Sequence, residues 1–578
     1  LIGSLNAQLD IWGGLKYKLS LSGNYSNKHN YTHTPEYYTK WNSDGTPDKD
    51  YGNTRNSVSE TRGEEFTYTI DNLLTYNKTF NRHSIDALLG TSWMREYYRY
   101  MTNSTINDLG GTDITGFQNE DGKISAGDSN AALLSFFARV NYDYDNKYLL
   151  SLSIRRDESS KFHKDNRVGY FPSVSAGWNV HQEKWFQNPV MSKLKIRASY
   201  GELGANFLNP YNFDAIAYGP IPYTVGGERY VTGRAAYLKS KDLKWETAKT
   251  TDIGIELGFF NNDLTLSLDY FVKKNVDLLA QIDLNLSSGQ IFEINSSREK
   301  PYVNTASVKN TGWEFMMNYR KQLTKDFHID ATFNIATLKN KVLSLGENVQ
   351  PITSGAMSSY FNDAPSITMP GEAIGSFYGY KIDGFDAEGN FIFADMDKNG
   401  VVNANDKVIL GSPIPDFTYG LNINMEYKDF DLTLFFQGVQ GNDIFNQKKY
   451  TYYFDYSNNV VKEAMNGWTK TNRNTGIPIM KTQNTSGGNS LPSEFYIEDG
   501  SYLRLKNLQL GYSLPKKWLE AIRFNKLRVY AGVQNLFTLT KYSGYDPEVS
   551  SNVLFSRGID ISSYPNARTF TFGFNASF

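Results

Sequence analysis

The sequence predicts an all-β fold, a transmembrane antiparallel β-barrel, on three observations. Segments of membrane-spanning length alternate apolar with polar residues, tight turns alternate strictly with long loops between them, and no run of roughly eighteen apolar residues is present to form a membrane-crossing helix. Strand side chains point to opposite faces with period two, so each segment offers one face to hydrocarbon and the other to water. A single strand of this kind also suits a soluble sandwich. Recurrence decides for the barrel, because a sandwich has no reason to alternate short connections with long ones.

The first strand alternates Leu5, Ala7, Leu9 and Ile11 with Asn6, Gln8 and Asp10; Trp12 Gly13 Gly14 turn; and Leu15, Tyr17, Leu19 and Leu21 lead out, a hairpin. A long polar loop is expected from about Asn27 to Arg62. Phe66, Tyr68 and Ile70 then turn at Asn81 Arg82 into Ile85, Ala87 and Leu89, and a second long polar loop follows. The unit returns at Asp145 Asn146, between Val174 Ala176 Trp178 and Leu194 Ile196 Ala198 Tyr200, at Asn261 Asn262 Asp263, near Thr324 Lys325, at Lys428 Asp429, and across Pro515 to Asn525. The last segment, Arg568 to Phe578, places Phe570, Phe572, Phe574, Ala576 and Phe578 on one face and Thr569, Thr571, Gly573, Asn575 and Ser577 on the other. About seventeen strands are visible by this reading. Trp12, Phe80, Tyr144, Phe260, Phe430 and Trp518 mark the short-turn ends, either as an interfacial girdle or as plugging of the barrel ends.

Composition agrees. Aromatic residues make up 15% of the 578 residues, with 40 Tyr and 36 Phe, while mean hydropathy is only -0.49. A barrel reconciles the two, because only alternate residues meet lipid. The formal net charge of -2 argues against a nucleic-acid partner, and the absence of cysteine excludes disulfides and thiol chemistry. Bacterial single-chain barrels have an even strand number, so an odd count leads to the expectation that at least one strand precedes Leu1. The chain reads as a piece of a longer one, without a signal peptide.

Several stretches resemble the SusC/RagA-like TonB-dependent transporters of the Bacteroidetes outer membrane. They include Asn72 to Phe80 (NLLTYNKTF), Arg139 to Leu150 (RVNYDYDNKYLL), Gly169 to Trp178 (GYFPSVSAGW), Ile374 to Lys381 (IGSFYGYK), Phe430 to Asn446 (FDLTLFFQGVQGNDIFN), Gly500 to Gly511 (GSYLRLKNLQLG), Gln534 to Phe537 (QNLF) and Tyr545 to Val549 (YDPEV). They run the length of the chain in the family's order. The resemblance implies a 22-stranded, plug-occluded barrel of which residues 1–578 are the C-terminal portion, the sixth to the last strand. Signal peptide, plug, TonB box and the first strands would then lie outside this sequence. It also implies a multi-pass outer-membrane protein that imports oligosaccharide, or as a second class oligopeptide, with a SusD-like surface lipoprotein as lid and energy from the TonB complex. A dimer of transporter-lipoprotein pairs is implied with it.

Two other readings compete with import. One is a barrel with an adhesion or structural docking role. The other is catalysis, which the sequence does not support: His29, His33, His83, His163, His181 and His328 are scattered and no G-x-S-x-G elbow is present. Loop aromatics Tyr31, Tyr37, Tyr38, Tyr360, Phe361, Tyr452 and Tyr453 either stack on sugar rings or order the loops that carry them. Asp395 to Asp406 follows the EF-hand loop rule. Asp395, Asp397 and Asn399 stand at positions one, three and five, Gly400 at the sharp turn, the Val401 carbonyl next, and Asp406 at position twelve, where Glu is usual. It is read as a calcium site on the extracellular side; an Asx-rich turn closed by its own hydrogen bonds is the other reading.

Overall fold

The computed structural model describes residues 1–577 except 55, 107–122, 212, 214–216, 227, 236–240, 282–301, 347–348, 356–362, 455–459, 481–487, 523 and 550–553; Phe578, Tyr360 and Phe361 thus fall outside the described residues. Its main sheet holds eighteen strands, one of which, Lys339–Ser344, continues the strand before it past Leu338, leaving seventeen. These are β1 (Ile2–Trp12), β2 (Leu15–Thr34), β3 (Ser57–Phe80), β4 (His83–Ile106), β5 (Lys123–Tyr144), β6 (Tyr148–Ser159), β7 (Val168–Asn179), β8 (Met191–Ala205) and β9 (Glu246–Phe259). They continue as β10 (Leu264–Gln281), β11 (Tyr302–Thr324), β12 (Phe327–Thr337), β13 (Phe417–Tyr427), β14 (Phe430–Gln440), β15 (Tyr502–Ser513), β16 (Lys526–Thr540) and β17 (Thr569–Ser577). Each pairs antiparallel with the next, as expected of a meander. Among the described residues β1 bonds only β2, and β17 only β16. An antiparallel meander of odd number leaves its first and last strands pointing the same way.

The short turns fall where the sequence puts them. Asn81, Asp145, Asn146, Asn261, Asn262 and Lys428 adopt positive φ there, and Gly13 and Gly14 do so in the first turn. Asn, Asp and Gly tolerate that conformation best, which is why they punctuate the sequence at these points. The connection from Pro515 to Asn525 contains a short helix, α1 (Lys516–Ile522).

The expected long loop from Asn27 to Arg62 is corrected. Strands β2 and β3 stay in register up to Thr34 opposite Ser57, and β4 and β5 continue to Ser104 opposite Lys123. Beyond the membrane both faces of a ladder meet water, so the backbone bonds persist after the apolar alternation has stopped. Cross-strand polar contacts take over there, such as the ion pair of Lys28 with Glu65 at 2.8 Å and the hydrogen bond between His29 and Glu60 at 2.8 Å. Only the alternation was legible in sequence.

The two faces separate as expected. Phe570, Phe572 and Phe574 are 62%, 80% and 71% exposed on the outside of β17. Inside, hydroxyl and amide groups join neighbouring strands: Ser20 donates to Asn6 at 2.6 Å, Ser151 to Asn141 at 2.7 Å, Thr332 to Asn318 at 2.8 Å and Thr433 to Asn424 at 3.0 Å. Among the charged groups inside, Arg197 pairs with Asp252 at 2.9 Å and with Asp269 at 2.6 Å. At the short-turn end the rings of Phe80, His83, Tyr144, Tyr148, Trp178 and Trp185 follow one another around the outer face at centroid spacings of 4.9 to 6.5 Å. They form a girdle on the outside, not a plug.

This arrangement makes a face-specific prediction. Phe572→Arg should destabilise the full-length barrel by roughly 2–4 kcal/mol in a lipid-based unfolding titration, whereas Thr571→Arg, on the inner face, should cost little. Equal costs would overturn the assignment of faces.

Candidate functional site

At the end opposite the short turns, the described residues of three long connections, 345–416, 441–501 and 541–568, fold against one another into a cap. Ile352–Ser354, Ser366–Thr368, Ser376–Gly379 and Val408–Gly411 make a four-stranded sheet within the first. Asp443–Asn446, in the second, pairs antiparallel with Ile497–Asp499 and parallel with Ile559–Asp560 of the third. All three contribute to one core, with Phe377 and Phe391 from the first, Phe445, Phe454 and Tyr496 from the second, and Ile559 from the third. Phe445 and Tyr496 stack at 5.1 Å. Each such side chain contributes about 1.5–3 kcal/mol on burial, one part of what offsets the cost of ordering long loops.

Two buried ionic groups clamp the third connection. Arg504, 3% exposed on the inner face of β15, donates to Asp546 and to Glu548 at 2.6 Å each. Lys506 reaches Glu548 at 2.7 Å, and the Tyr502 hydroxyl donates to the same carboxylate at 2.9 Å. The second group pairs Lys448 with Asp560 at 2.9 Å, both side chains 1% exposed, with Tyr542 donating to Asp560 at 2.6 Å. The stretches GSYLRLKNLQLG and YDPEV are therefore two halves of one clamp. Sequence reading quoted both without this role, although Tyr502, Arg504 and Lys506 at alternate positions in an otherwise apolar strand are a signal for it.

The loop aromatics divide. Tyr37 and Trp41 are 52% and 61% exposed in the connection between β2 and β3, and Tyr31, on the upper part of β2, is 41% exposed. Tyr38 donates to Glu36 at 2.5 Å. Tyr453 packs edge-on against Phe495 at 5.7 Å, and the Tyr452 hydroxyl is pushed up to about 12 by burial and then by its bond with Tyr545. These last two order the cap.

In the predicted metal loop, Asp395, Asp397 and Asp406 bring one carboxylate oxygen each to within 4.8 Å of one another, and Gly400 has φ +87° at the sharp turn. Asp395 accepts from the Gly400 N–H at 2.7 Å, and Asp406 from Met396 at 2.8 Å and Asn403 at 2.7 Å. The Asn403 N–H, outweighing burial, holds the Asp406 carboxyl below the usual carboxylate range. Asn399 and Val401 are placed differently from the carboxylates. The Asn399 side-chain oxygen accepts from the Val401 N–H at 2.8 Å, and the Val401 carbonyl accepts from the Asn403 amide at 3.0 Å. Three of the five expected ligands converge, so the donor set fits a hard cation through its carboxylates.

The model of the TonB dependent receptor-like β-barrel family matches residues 3–536. The chain belongs to that family. TonB-dependent receptor P3 of Formosa agariphila is 35% identical over 571 residues, covering 92% of this chain and 53% of that relative. TonB-dependent receptor SusC of Bacteroides thetaiotaomicron is 32% identical over 472 residues, covering 77% and 44%. Among solved structures the RagAB peptide transporter shares the fold, with a TM-score of 0.83 at 23% identity over 100% of this chain and 62% of that one. The TonB-dependent receptor chain described here spans about half the length of the curated relatives it matches. Its family is one of receptors and transporters, not of enzymes.

The clamp carries a pH prediction. Burial alone would raise the Asp546 carboxyl, but the Arg504 side chain and the Glu548 and Asn566 N–H groups outweigh it and leave its pKa lowered. A lowered folded value means that the stabilisation is in force above the unfolded carboxylate value of about 4 and is lost as pH falls through the folded one. Proteolysis of residues 541–568 should therefore speed up only below about pH 4. Arg504→Met, which leaves Asp546 without its counter-charge and Glu548 with Lys506 alone, should expose the same segment at neutral pH, at a cost of about 3–5 kcal/mol.

Proposed function

We propose that this chain is the greater part of the wall of a SusC-type nutrient importer in the cell outer membrane. Its cargo is oligosaccharide, with oligopeptide as the second class, under a SusD-like lipoprotein lid and with energy from the TonB complex. The observation that carries the reading is a family match over residues 3–536 on a seventeen-stranded meander whose outer face is apolar and whose inner face is polar. A barrel this wide leaks unless gated, which favours a plug. The odd number of strands in the meander supports at least one further strand in the wall. Neutral hydroxyl and amide ladders along the inner wall suit a polyhydroxylated cargo. Exposed Tyr37 and Trp41 supply stacking faces. The exposed apolar side chains of Met465, Ile561 and Tyr564 on the cap are consistent with a lid and with a dimer of transporter-lipoprotein pairs.

A strain lacking the full-length gene should lose growth on an oligosaccharide while keeping growth on its monosaccharide. Loss on peptides alone moves the cargo to the second class. Undiminished growth and uptake on both removes import and leaves adhesion or structural docking.

We also propose that Asp395, Asp397, Asn399, Val401 and Asp406 hold a calcium ion that staples the first long connection. The convergence of three carboxylates supports this, with Asn399 and Val401 turning their oxygens inward on binding. Chelator should speed proteolysis of residues 345–416 in the wild type and not in Asp395→Ala plus Asp397→Ala. Identical rates in wild type with and without chelator would end the idea.

A further inference from the structure

Register across the sheet brings together residues that lie far apart in sequence. On the outer faces of β9, β10 and β11, Ile253, Tyr270 and Trp313 share a rung, and the rings of Tyr270 and Trp313 lie 4.8 Å apart. The next outward rung holds Thr251, Val272, Thr311 and Lys339. Above it, Lys249 stands opposite Lys274, Lys274 opposite Lys309, and Lys309 opposite Lys341, a row of lysines across β9, β10, β11 and the Lys339–Ser344 continuation of β12. The row faces outward, because the intervening Val308 and Val342 are buried on the other face with Ala306.

Height locates the row. Lys274 is ten residues from Leu264, the first residue of β10 at the short-turn end. At about 3.3 Å per residue and a tilt of about 40°, that is about 25 Å along the membrane normal, the height of the apolar band of an outer-membrane barrel. The lysines therefore stand where hydrocarbon gives way to headgroups on the long-loop side.

Among the described residues, the row is compensated by its own sheet at one lysine of the four. Lys249 has Glu202 at 3.2 Å. Among the described residues, Lys274, Lys309 and Lys341 have no carboxylate partner. Like charges directly opposite one another across strands are destabilising. On the ladder of β3 and β4 above the membrane opposite charges meet instead, with Glu64 opposite Arg99 and Arg62 bonded to Glu60 at 2.8 Å. A row of this kind is stable when an anion lies across it, and the long lysine stems can reach down or up to meet one.

We propose that Lys249, Lys274, Lys309 and Lys341 dock the phosphate headgroup of a lipid in the outer leaflet, with Lys339 beneath as a further donor. The inference rests on the outer-membrane reading above and adds to it a specific lipid seat on one sector of the barrel. It is tested with the full-length receptor in nanodiscs that contain either phosphorylated lipid A or the same lipid dephosphorylated. Native mass spectrometry should find the phosphorylated lipid retained preferentially. Lys274→Gln with Lys309→Gln and Lys341→Gln should cut that retention about tenfold or more, while the corresponding triple Arg variant keeps it. Equal retention of the two lipids by an outer-membrane-embedded wild type, or undiminished retention by the Gln variant, overturns the docking row and leaves the membrane reading standing. A receptor that does not fractionate with the outer membrane overturns both.

Discussion

In hydrocarbon no water is present to satisfy a backbone N–H or carbonyl, so every one must be paired within the protein. The sheet described here follows from that constraint. Sixteen antiparallel pairings run without interruption from β1 to β17. The side chains are then free to divide the environments, with Phe570, Phe572 and Phe574 outward and the Ser, Thr and Asn ladders inward. Register fixed by the backbone also decides which side chains meet, and the lysine row is a consequence of it.

Outside the membrane the constraint relaxes and a different one takes over. The long connections have water on most sides and cannot rely on ladders alone, so they build a core from three separate loops around Phe377, Phe445, Tyr496 and Ile559. Ionic clamps at Arg504 and Lys448 then fix the last connection to β15 and to the middle connection. A burial cost attends each charge; at Arg504 it is offset by hydrogen bonds to two carboxylates and Thr538, and at Lys448 by the ion pair with Asp560 and the face of the Tyr545 ring. The cap is consequently a folded unit carried by the barrel rim.

Strand positions were legible in the sequence because alternation and turn residues are local signals. Asn261, Asn262 and Lys428 announced their turns, and Phe570 to Phe574 their face. The extension of β2 and β3 to Thr34 and Ser57 was not legible, since a ladder wet on both faces needs no apolar pattern. The cap core was hidden for another reason: Phe391, Phe445 and Ile559 meet only through tertiary folding across more than a hundred residues. In the Asp395–Asp406 loop the spacing of acidic residues was legible and three carboxylates converge, while the hydrogen bonds that engage the Asn399 side-chain oxygen and the Val401 carbonyl could be seen only in three dimensions. Lysines 249, 274, 309 and 341 carry no local motif at all.

The central claim is that one face of this sheet meets lipid and the other a wet lumen. The chain has no cysteine, so single cysteines placed along β17 of the full-length receptor, from Phe570 to Asn575, can each carry a spin label in native membranes. Labels at 570, 572 and 574 should be relaxed by membrane-dissolved oxygen, and labels at 571, 573 and 575 by a water-soluble nickel complex or by neither reagent. Accessibility without a period of two, or with the two reagents exchanged, would contradict the account.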